Sequence, residues 1–333
     1  MYEPLAVTSA EDRARFCSLP GLSVLTPEVL ARHRPDAHWI LTNAGGVVAR
    51  CSLWWQETPA LAEHRLGLIG HYAAVDGEAA ARILDWACME LEHHGCTLAV
   101  GPIDGNTWQR YRLLSERGDE PVFFLEPDNP DSWPAHFTGN RFTALAHYYS
   151  AINTDLERTH PRLTEIAQRV AERGITLRPL RLERFEDELR LIYAVSIASF
   201  ASNFLYTPIG EEECLAQYRP IAPHVRPELV LIAERDRQPV GYSFAVPDLN
   251  QARRGQAIDT AVLKTLAVHP DLGGLGLGTL LMARCHEAAL ALGFTRVIHA
   301  LMHEDNASRR LSSYTARTIR RYVLYSRPLG LVR

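Results

Sequence analysis

A cluster of glycines follows an apolar, strand-like segment in the C-terminal third of the chain. Val268 ends that segment, and Pro270 cannot continue a strand ladder because it has no amide hydrogen. Glycines let main-chain amides approach a ligand closely, and a helix that begins near Thr279 points the positive end of its dipole at the same place. The predicted ligand is an anion such as a diphosphate. The predicted binding segment comprises Gly273, Gly274, Leu275, Gly276, Leu277, Gly278 and Thr279.

Two common phosphate-binding patterns fit this segment less well. A P-loop ends in Gly-Lys-Ser/Thr, but Gly278 is followed by Thr279 and Leu280. The glycine spacing of a dinucleotide-binding fingerprint is formally present around Gly273. That fingerprint opens its domain, however, whereas this one lies late in the chain behind a proline turn. The order of strand, turn, glycines and helix therefore needs another explanation.

The segment continues in an order that resembles the signature of the GNAT superfamily of acyl-CoA-dependent N-acyltransferases. In that family a strand ends in Val-x-Pro, Arg/Gln-x-x-Gly-x-Gly/Ala opens a helix, and a second strand leads to an asparagine. The matching residues are Val268, Pro270, Gly276, Gly278 and Asn306. The second strand is predicted over residues 296–301. Gly273 stands where the family has Arg or Gln, so that side-chain contact is missing while the backbone amides remain.

The resemblance implies an enzyme that binds acetyl-CoA or another acyl-CoA and transfers the acyl group to a primary amine by direct attack on the thioester. Backbone groups that bind pantetheine and the thioester carbonyl in the family correspond to Leu266, Ala267 and Val268. One alternative is an enzyme that uses a longer acyl-CoA or an acyl carrier protein. Others are a non-catalytic CoA-binding or interaction module and a nucleotide-phosphate binder. No metal is expected, because no zinc-ligand spacing is present.

Amide formation from a thioester also needs a base for the amine and an acid for the leaving thiolate. Asp248, His303 and Glu304 are candidate bases, because each follows a predicted strand near the expected site. In the family a tyrosine seven residues after the asparagine often serves as the acid, but that offset lands on Ser313. Tyr314 is the candidate here, or else a packing residue, because one position rotates a helical side chain by about 100°.

The acceptor is expected to contact the segment 199–218, where the family has its variable acceptor-binding helices. Asn203 and Tyr206 offer hydrogen bonds to a small-molecule amine. The glutamates at 211–213 either attract a cationic amine or compensate a helix dipole. Two aromatic, turn-rich segments, 101–112 and 123–134, are expected to pack the contact between the two halves, with a role in function as the alternative.

The chain of 333 residues is long enough for two domains, and its halves repeat one order of elements. In the first half the corresponding loop reads Asp76-Gly77-Glu78, whose carboxylates would repel a diphosphate. We therefore expect a degenerate GNAT-like domain over 1–155, a linker helix over 156–174 and a catalytic domain over 175–333. The predicted fold is α/β (α+β), with each domain a mixed, mostly antiparallel twisted sheet flanked by helices.

The composition limits which classes of partner and which cellular location are expected. A net charge of −4 and a pI near 6.4 give no basic field for nucleic acid. The first sixteen residues carry charges and lack the apolar run of a signal peptide, and no run is long enough to span a membrane. The six cysteines lack Cys-x-x-Cys spacing. A cytoplasmic, soluble monomer or homodimer is expected.

Overall fold

The computed structural model of the protein describes residues 2–19, 25–305, 312 and 314–330. One sheet of thirteen strands runs through it, with helices on both faces. The first half of the chain contains β1 (Glu3–Ala6), α1 (Ala10–Ser18), α2 (Pro27–His33), β2 (Ala37–Asn43), β3 (Gly46–Trp54), β4 (Leu66–Ala74), α3 (Gly77–His93), β5 (Leu98–Gly101), β6 (Leu113–Glu116), α4 (Trp133–Thr138) and β7 (Thr143–Asn153). The second half contains α5 (Leu163–Glu172), β8 (Ile175–Pro179), α6 (Phe185–Phe200), α7 (Glu211–Tyr218), β9 (Val230–Arg235), β10 (Gln238–Pro247), α8 (Leu249–Arg253), β11 (Thr260–Val268), α9 (Leu277–Ala291), β12 (Arg296–His303) and β13 (Arg317–Pro328).

The sheet consists of two half-sheets with the same strand arrangement. The first has the order β1-β2-β3-β4-β5-β13, and the second has β8-β9-β10-β11-β12-β7. Within each half-sheet, the fourth and fifth strands are parallel and the other neighbours are antiparallel. The predicted fold class, two mixed and mostly antiparallel sheets in tandem, is therefore confirmed.

The two halves exchange their last strands. β7 comes from the first half of the chain but pairs with β12, and β13 comes from the second half but pairs with β5. The exchanged strands also pair with each other and so join the half-sheets into one. The predicted boundaries at 155 and 175 follow the order of the chain and remain a prediction. By strand pairing, residues 143–153 and 317–328 belong to the opposite half-sheets.

The helix that follows the fourth strand of each half-sheet buries one apolar face against it. α3 buries Ile83, Leu84 and Leu91, and the strand beneath it, β4, is buried along its whole length. α9 buries Leu281 and Cys285 in the same way. Spacings of four, seven and eight residues place these apolar side chains on one face of each helix. None of the helices in the described part of the chain combines the length and the apolar character needed to cross a membrane.

A buried ion pair ties β13 to a loop of the first half of the chain. Arg320 Nε donates to a carboxylate oxygen of Glu126 at 3.0 Å, and both side chains have 0% exposure. Tyr322 Oη donates to the same oxygen at 2.6 Å. The Arg320 guanidinium also donates to the main-chain oxygens of Arg117 and Glu120. Burial raises the pKa of Glu126, so its charged form depends on these partners.

We expect Arg320→Met to lower the free energy of unfolding by about 3–5 kcal/mol, because it leaves the Glu126 carboxylate buried without its cation. Urea denaturation measures the change. Arg317→Met is the matched control on the same strand: Arg317 is 64% exposed and pairs with Glu120, so its loss should cost less than about 1 kcal/mol. Equal losses in the two variants would contradict a stabilising role for the buried pair.

Candidate active site

The strands β11 and β12 separate in the middle of the second half-sheet. Their parallel pairing runs from Thr260 and Arg296 to Leu263 and His299 and then ends. β11 continues to Val268 while still paired with β10. The edge of β11 that faces β12 beyond Leu263 therefore has no strand partner, and its main-chain groups are free to bind a ligand.

A cavity of about 860 Å³ opens where the two strands separate. Its walls combine β11, β12 and the segment after α6 with the loops 107–112 and 125–127 of the first half. Its apolar and aromatic lining includes Trp108, Tyr111, Tyr148, Phe200, Phe204, Tyr206, Tyr218, Phe244, Leu263, Leu266, Met282 and Leu301. Asn203 and Tyr206 both line this cavity. The substrate-binding role predicted for them requires such a position. The volume lies within the range of small-molecule sites.

The glycine segment forms an open turn before α9. Gly274 and Gly276 have φ angles of +78° and +90°, a region that glycine adopts without strain. The first intrahelical bond runs from the Leu280 amide to Gly276 O at 3.1 Å, and no side chain caps the helix. Within the described ranges, the amides of residues 277–279 have no acceptor. The start of α9 is thus suited to an anion.

The corresponding place in the first half is filled by the chain itself. At the start of α3, the Asp76 carboxylate accepts a hydrogen bond from the Ala79 amide at 2.8 Å. β4 and β5 also stop pairing, after Leu68 and Val100, but the Ile103 amide donates to Ile69 O at 2.8 Å. A Cβ atom on Gly70 would lie 2.2 Å from Ile103 O. Both the anion turn and the gap between strands are therefore closed in this half.

The helix α5 packs against the open turn and brings a cation to it. Arg169 Nε donates to Leu275 O at 3.2 Å. Within the part of the chain that the structure describes, the Arg169 guanidinium forms no ion pair with a carboxylate. Ile166 of the same helix contacts the turn so closely that a Cβ atom on Gly276 would lie 2.9 Å from it. Arg169 thus places positive charge near the turn, where Gly273 replaces the family's Arg or Gln.

A smaller cavity of about 150 Å³ lies beside the first turns of α9. Thr279, His286, Arg158 and Tyr314 are among its lining residues, and Met282 lines both cavities. The Tyr314 ring lies 5.1 Å from Arg158 Cζ and is 38% exposed. Tyr314 therefore faces the smaller cavity and does not line the larger one. The predicted ligand-contact residue Asn306, like position 313, lies outside the described residues.

Two of the predicted bases have other contacts. Asp248 is buried at the start of α8, where its carboxylate accepts hydrogen bonds from the amides of Phe124 at 2.7 Å and Asn250 at 3.1 Å. Glu304 accepts a hydrogen bond from Arg321 Nη1 at 3.0 Å. Neither is among the residues that line the large cavity. Asp248 holds the 120s loop against α8, so we do not propose either carboxylate as the base.

Lys264 is a candidate base that the sequence reasoning missed. It lies on β11 where the register shifts between Phe244 and Ala245, so it has no partner on β10. Its half-buried side chain lines the large cavity. Burial, with a smaller contribution from the nearby Arg112, lowers the pKa of the Lys264 amine to about 7. A large fraction of this amine is therefore neutral near pH 7. The available clue was one lysine inside an apolar strand, TAVLKTLAV.

His303, the third predicted base, lines the large cavity as a hydrogen-bond donor. Its Nδ1 atom accepts a hydrogen bond from the Asp305 amide at 3.1 Å, so the proton of the neutral ring is on Nε2. Nε2 is buried and has no hydrogen-bond partner among the described residues. Burial lowers the pKa of His303, which favours the neutral ring. A donor in this position can bind a substrate oxygen. A base would need a free lone pair, and the lone pair on Nδ1 already accepts the Asp305 amide.

A chain of buried hydrogen bonds connects the two cavities. Ser312 Oγ lies 2.8 Å from His299 Nδ1, and His299 Nε2 lies 2.9 Å from His286 Nε2. Burial lowers the pKa of His299 to about 3 and that of His286 to about 4. Ser312 and His299 line the large cavity, and His286 lines the small one. Such a neutral chain can donate a proton at one end and be resupplied at the other.

Comparisons with known proteins agree with this geometry. Residues 197–312 match the model of the acetyltransferase (GNAT) family. Protein YghO of Escherichia coli (strain K12) is 23% identical over 253 residues, which cover 70% of this chain and 62% of the relative. The bacterial ceramide synthase of Caulobacter vibrioides (strain NA1000 / CB15N) is 28% identical over 229 residues, which cover 64% of this chain and 56% of the relative. The chain thus matches less than two thirds of the length of either relative.

A solved structure shares the fold over nearly the whole chain. The tandem GNAT protein from the clavulanic acid biosynthesis pathway aligns with a TM-score of 0.52 and 13% identity, over 100% of this chain and 99% of that one. At this identity the likeness concerns the fold alone. The match to the GNAT family model thus lies in the second half of the chain, and the whole chain has the fold of a tandem GNAT protein.

Proposed function

We propose that the protein is an N-acyltransferase that transfers an acyl group longer than acetyl from acyl-CoA to a primary amine in the large cavity. The observation that carries the proposal is the gap between β11 and β12, because it opens into a cavity of about 860 Å³ with aromatic and aliphatic side chains in its wall. The uncapped start of α9 lies beside the smaller cavity, and Met282 lines both cavities. Among the residues that the structure describes, only those of the second half of the chain have both features.

Acyl-CoA would bind in one orientation, with its diphosphate at the start of α9 and its thioester in the gap between β11 and β12. The amides of residues 277–279 and the open turn at Gly274 would hold the diphosphate, with Arg169 as the nearby cation. The unpaired edge of β11 at residues 266–268 would hold the pantetheine arm through main-chain hydrogen bonds. The thioester would then lie in the gap near Leu263 and His299.

The reaction requires a proton to leave the amine and a proton to reach the sulfur. The amine nitrogen bonds to the thioester carbonyl carbon as the carbon–sulfur bond breaks. Neutral Lys264 accepts the amine's proton. Ser312 donates a proton to the leaving thiolate and takes one from His299, which is resupplied through His286 from solvent at the smaller cavity, so that no residue of this hydrogen-bonded chain keeps a charge. The His303 Nε2–H group is a candidate donor to the carbonyl oxygen, where negative charge develops.

The size and lining of the cavity favour an acyl chain longer than acetyl. An acetyl group fills about 60 Å³, the volume of roughly two water molecules. The wall presents aromatic and aliphatic side chains from both halves, and apolar surface favours a hydrocarbon chain. The name of the Caulobacter relative, a ceramide synthase, points the same way. Acetyl transfer is the second candidate, supported by the description of the matched family model.

We expect the affinity for acyl-CoA to rise with chain length from acetyl- through octanoyl- to dodecanoyl-CoA. Each buried methylene contributes about 0.8 kcal/mol, or roughly fourfold in Kd, until the cavity is full. Calorimetry with the series measures the trend, and single-turnover transfer to an amine panel measures the reaction. An affinity that does not change along the series would support acetyl transfer. Binding without transfer to any amine would contradict an enzymatic role.

A further inference from the structure

We infer that the acceptor amine carries an anionic group, in the simplest case a carboxylate, which Arg110 and Arg112 bind in the large cavity. The inference rests on the proposed acyl transfer and specifies its substrate class. Both arginines belong to the first half of the chain and line the cavity of the second half.

Arg112 is a buried cation that aromatic rings hold in place. It is 4% exposed and lies between Tyr111 and Tyr148, with its Cζ atom 4.1 Å and 4.2 Å from the two ring centroids. Its Nη1 atom is 3.5 Å from Leu301 O, and its Nε atom is buried without a partner. No carboxylate of the described chain forms an ion pair with it. The rings fix the guanidinium but do not neutralise its charge.

Arg110 adds a second cation whose hydrogen-bonding capacity is not used. Its Nη1 atom is buried without a partner. The nearest acidic groups have other hydrogen bonds: Asp104 accepts from the His71 amide at 2.6 Å, and Asp128 from Arg117 at 2.8 Å. Glu126, an acidic residue of the cavity wall, is paired with Arg320. Arg110 is thus attracted to Asp104 and Asp128 without an ion pair to either, and Arg112 carries a positive charge that no carboxylate of the described residues pairs with.

A buried charge without an opposite charge beside it costs free energy unless a bound ligand supplies that opposite charge. A planar guanidinium with free N–H groups matches a carboxylate or phosphate, because it can donate two parallel hydrogen bonds. The three glutamates that the sequence offered for a cationic amine do not line the cavity. They form contacts elsewhere: Glu211 with Arg190, Glu212 with Arg219, and Glu213 with Gln109. Asp305 lines the cavity as an exposed carboxylate, so the buried charges available to an acceptor are those of Arg110 and Arg112.

Matched acceptor pairs test this inference on the unmodified protein. L-phenylalanine is compared with L-phenylalaninamide, and 2-aminoethyl phosphate with ethanolamine, each with dodecanoyl-CoA. We expect kcat/KM to be roughly a hundredfold higher for at least one anionic member, because two charge-assisted hydrogen bonds are lost in its neutral partner. The pair that shows the preference distinguishes carboxylate from phosphate. Equal values within both pairs would overturn the inference and leave the acyl transfer standing.

Variants and a binding readout separate the two proposals. Arg112→Gln and Arg110→Gln should lower kcat/KM for the anionic acceptor toward that of its neutral partner, mainly by raising KM. Arg117→Gln, in a half-buried arginine that pairs with Asp128 and does not line the cavity, should keep the preference. Retained acyl-CoA binding verifies that each variant is folded.

If no amine is acylated, the proposed function fails. Calorimetry in the presence of CoA then decides the inference, which is overturned if anionic and neutral probes bind equally.

Discussion

Replacing Thr279 with aspartate is expected to abolish acyl-CoA binding in a protein that remains folded. Thr279 is the third residue of α9, and the first turn of that helix has no side-chain cap. A carboxylate there would place negative charge beside the free amides of the first turn and would repel a diphosphate. Helix dipoles favour an acidic residue in the first turn, so the fold should not suffer.

Thermal unfolding with and without acyl-CoA measures this effect. A ligand at a hundred times its dissociation constant stabilises a protein by about 2.7 kcal/mol, and the variant should lose that whole increment. Gly77→Asp is the matched control, because it adds the same charge at the start of α3, where a Cβ atom would meet nothing within 4 Å. If Gly77→Asp removed the shift and Thr279→Asp kept it, acyl-CoA would bind in the first half of the chain.

Substitutions at Gly276 are a poorer test of the turn, although that residue is part of the glycine pattern. Its φ angle of +90° and the position of Ile166 mean that any side chain would strain the backbone and displace α5. A loss of binding in such a variant would not separate charge repulsion from misfolding. Thr279 avoids both problems because it already carries a side chain.

Lys264→Met is expected to lower kcat by about 10²–10⁴-fold, the usual contribution of a general base, while acyl-CoA still binds. The base must be neutral to accept a proton, and the pKa of Lys264 is lowered to about 7. For the wild type, kcat/KM should therefore rise as the pH increases through about 7 and level off above it. The variant should lack that rise. A stopped-flow or coupled thiol assay across the pH range gives both results.

Lys264→Arg distinguishes a base from a fixed positive charge. Arginine keeps the charge and approximates the length of the side chain, but it does not lose its proton in this pH range. We expect it to be as slow as Lys264→Met. Near-wild-type turnover in Lys264→Arg would show that the position needs only a cation, and the base would then have to be sought elsewhere in the cavity.

The turn before α9 could be predicted from the sequence because its determinants are local. Positive φ angles at Gly274 and Gly276 and an uncapped helix start follow from residues that are adjacent in the chain. The difference between the two helix starts could also be predicted. Asp76 stands where the open turn has Gly276, and its carboxylate caps α3 in the structure. Local sequence thus indicates which of the two helix starts is capped by a side chain and which is left open.

The chemistry inside the cavity could not be predicted in the same way, because it depends on which distant elements meet. Asp248 has the right residue type at the end of a strand, yet its carboxylate caps α8. Lys264 has an unremarkable position in the sequence and gains its properties from burial and from Arg112. The exchange of last strands between the halves could not be predicted either, because an apolar strand pattern does not specify which other strand it pairs with.

The first half of the chain contributes to the site although its own gap is closed. Ile103 fills the space between β4 and β5, and a few residues later the same segment reaches the other half with Arg110 and Arg112. The aromatic loop 101–112 was expected to pack the contact between the halves. Trp108 does pack there, with its indole N–H donating to Thr207 O at 2.9 Å, and the loop also forms a wall of the cavity.

A crystal structure with dodecanoyl-CoA tests the central claim most directly. The account predicts the diphosphate on the amides of residues 277–279, the pantetheine arm along the edge of β11 after Leu263, and the acyl chain in the large cavity. The start of α3 should hold no ligand. Coenzyme A bound elsewhere, with the gap between β11 and β12 filled by protein side chains, would contradict it.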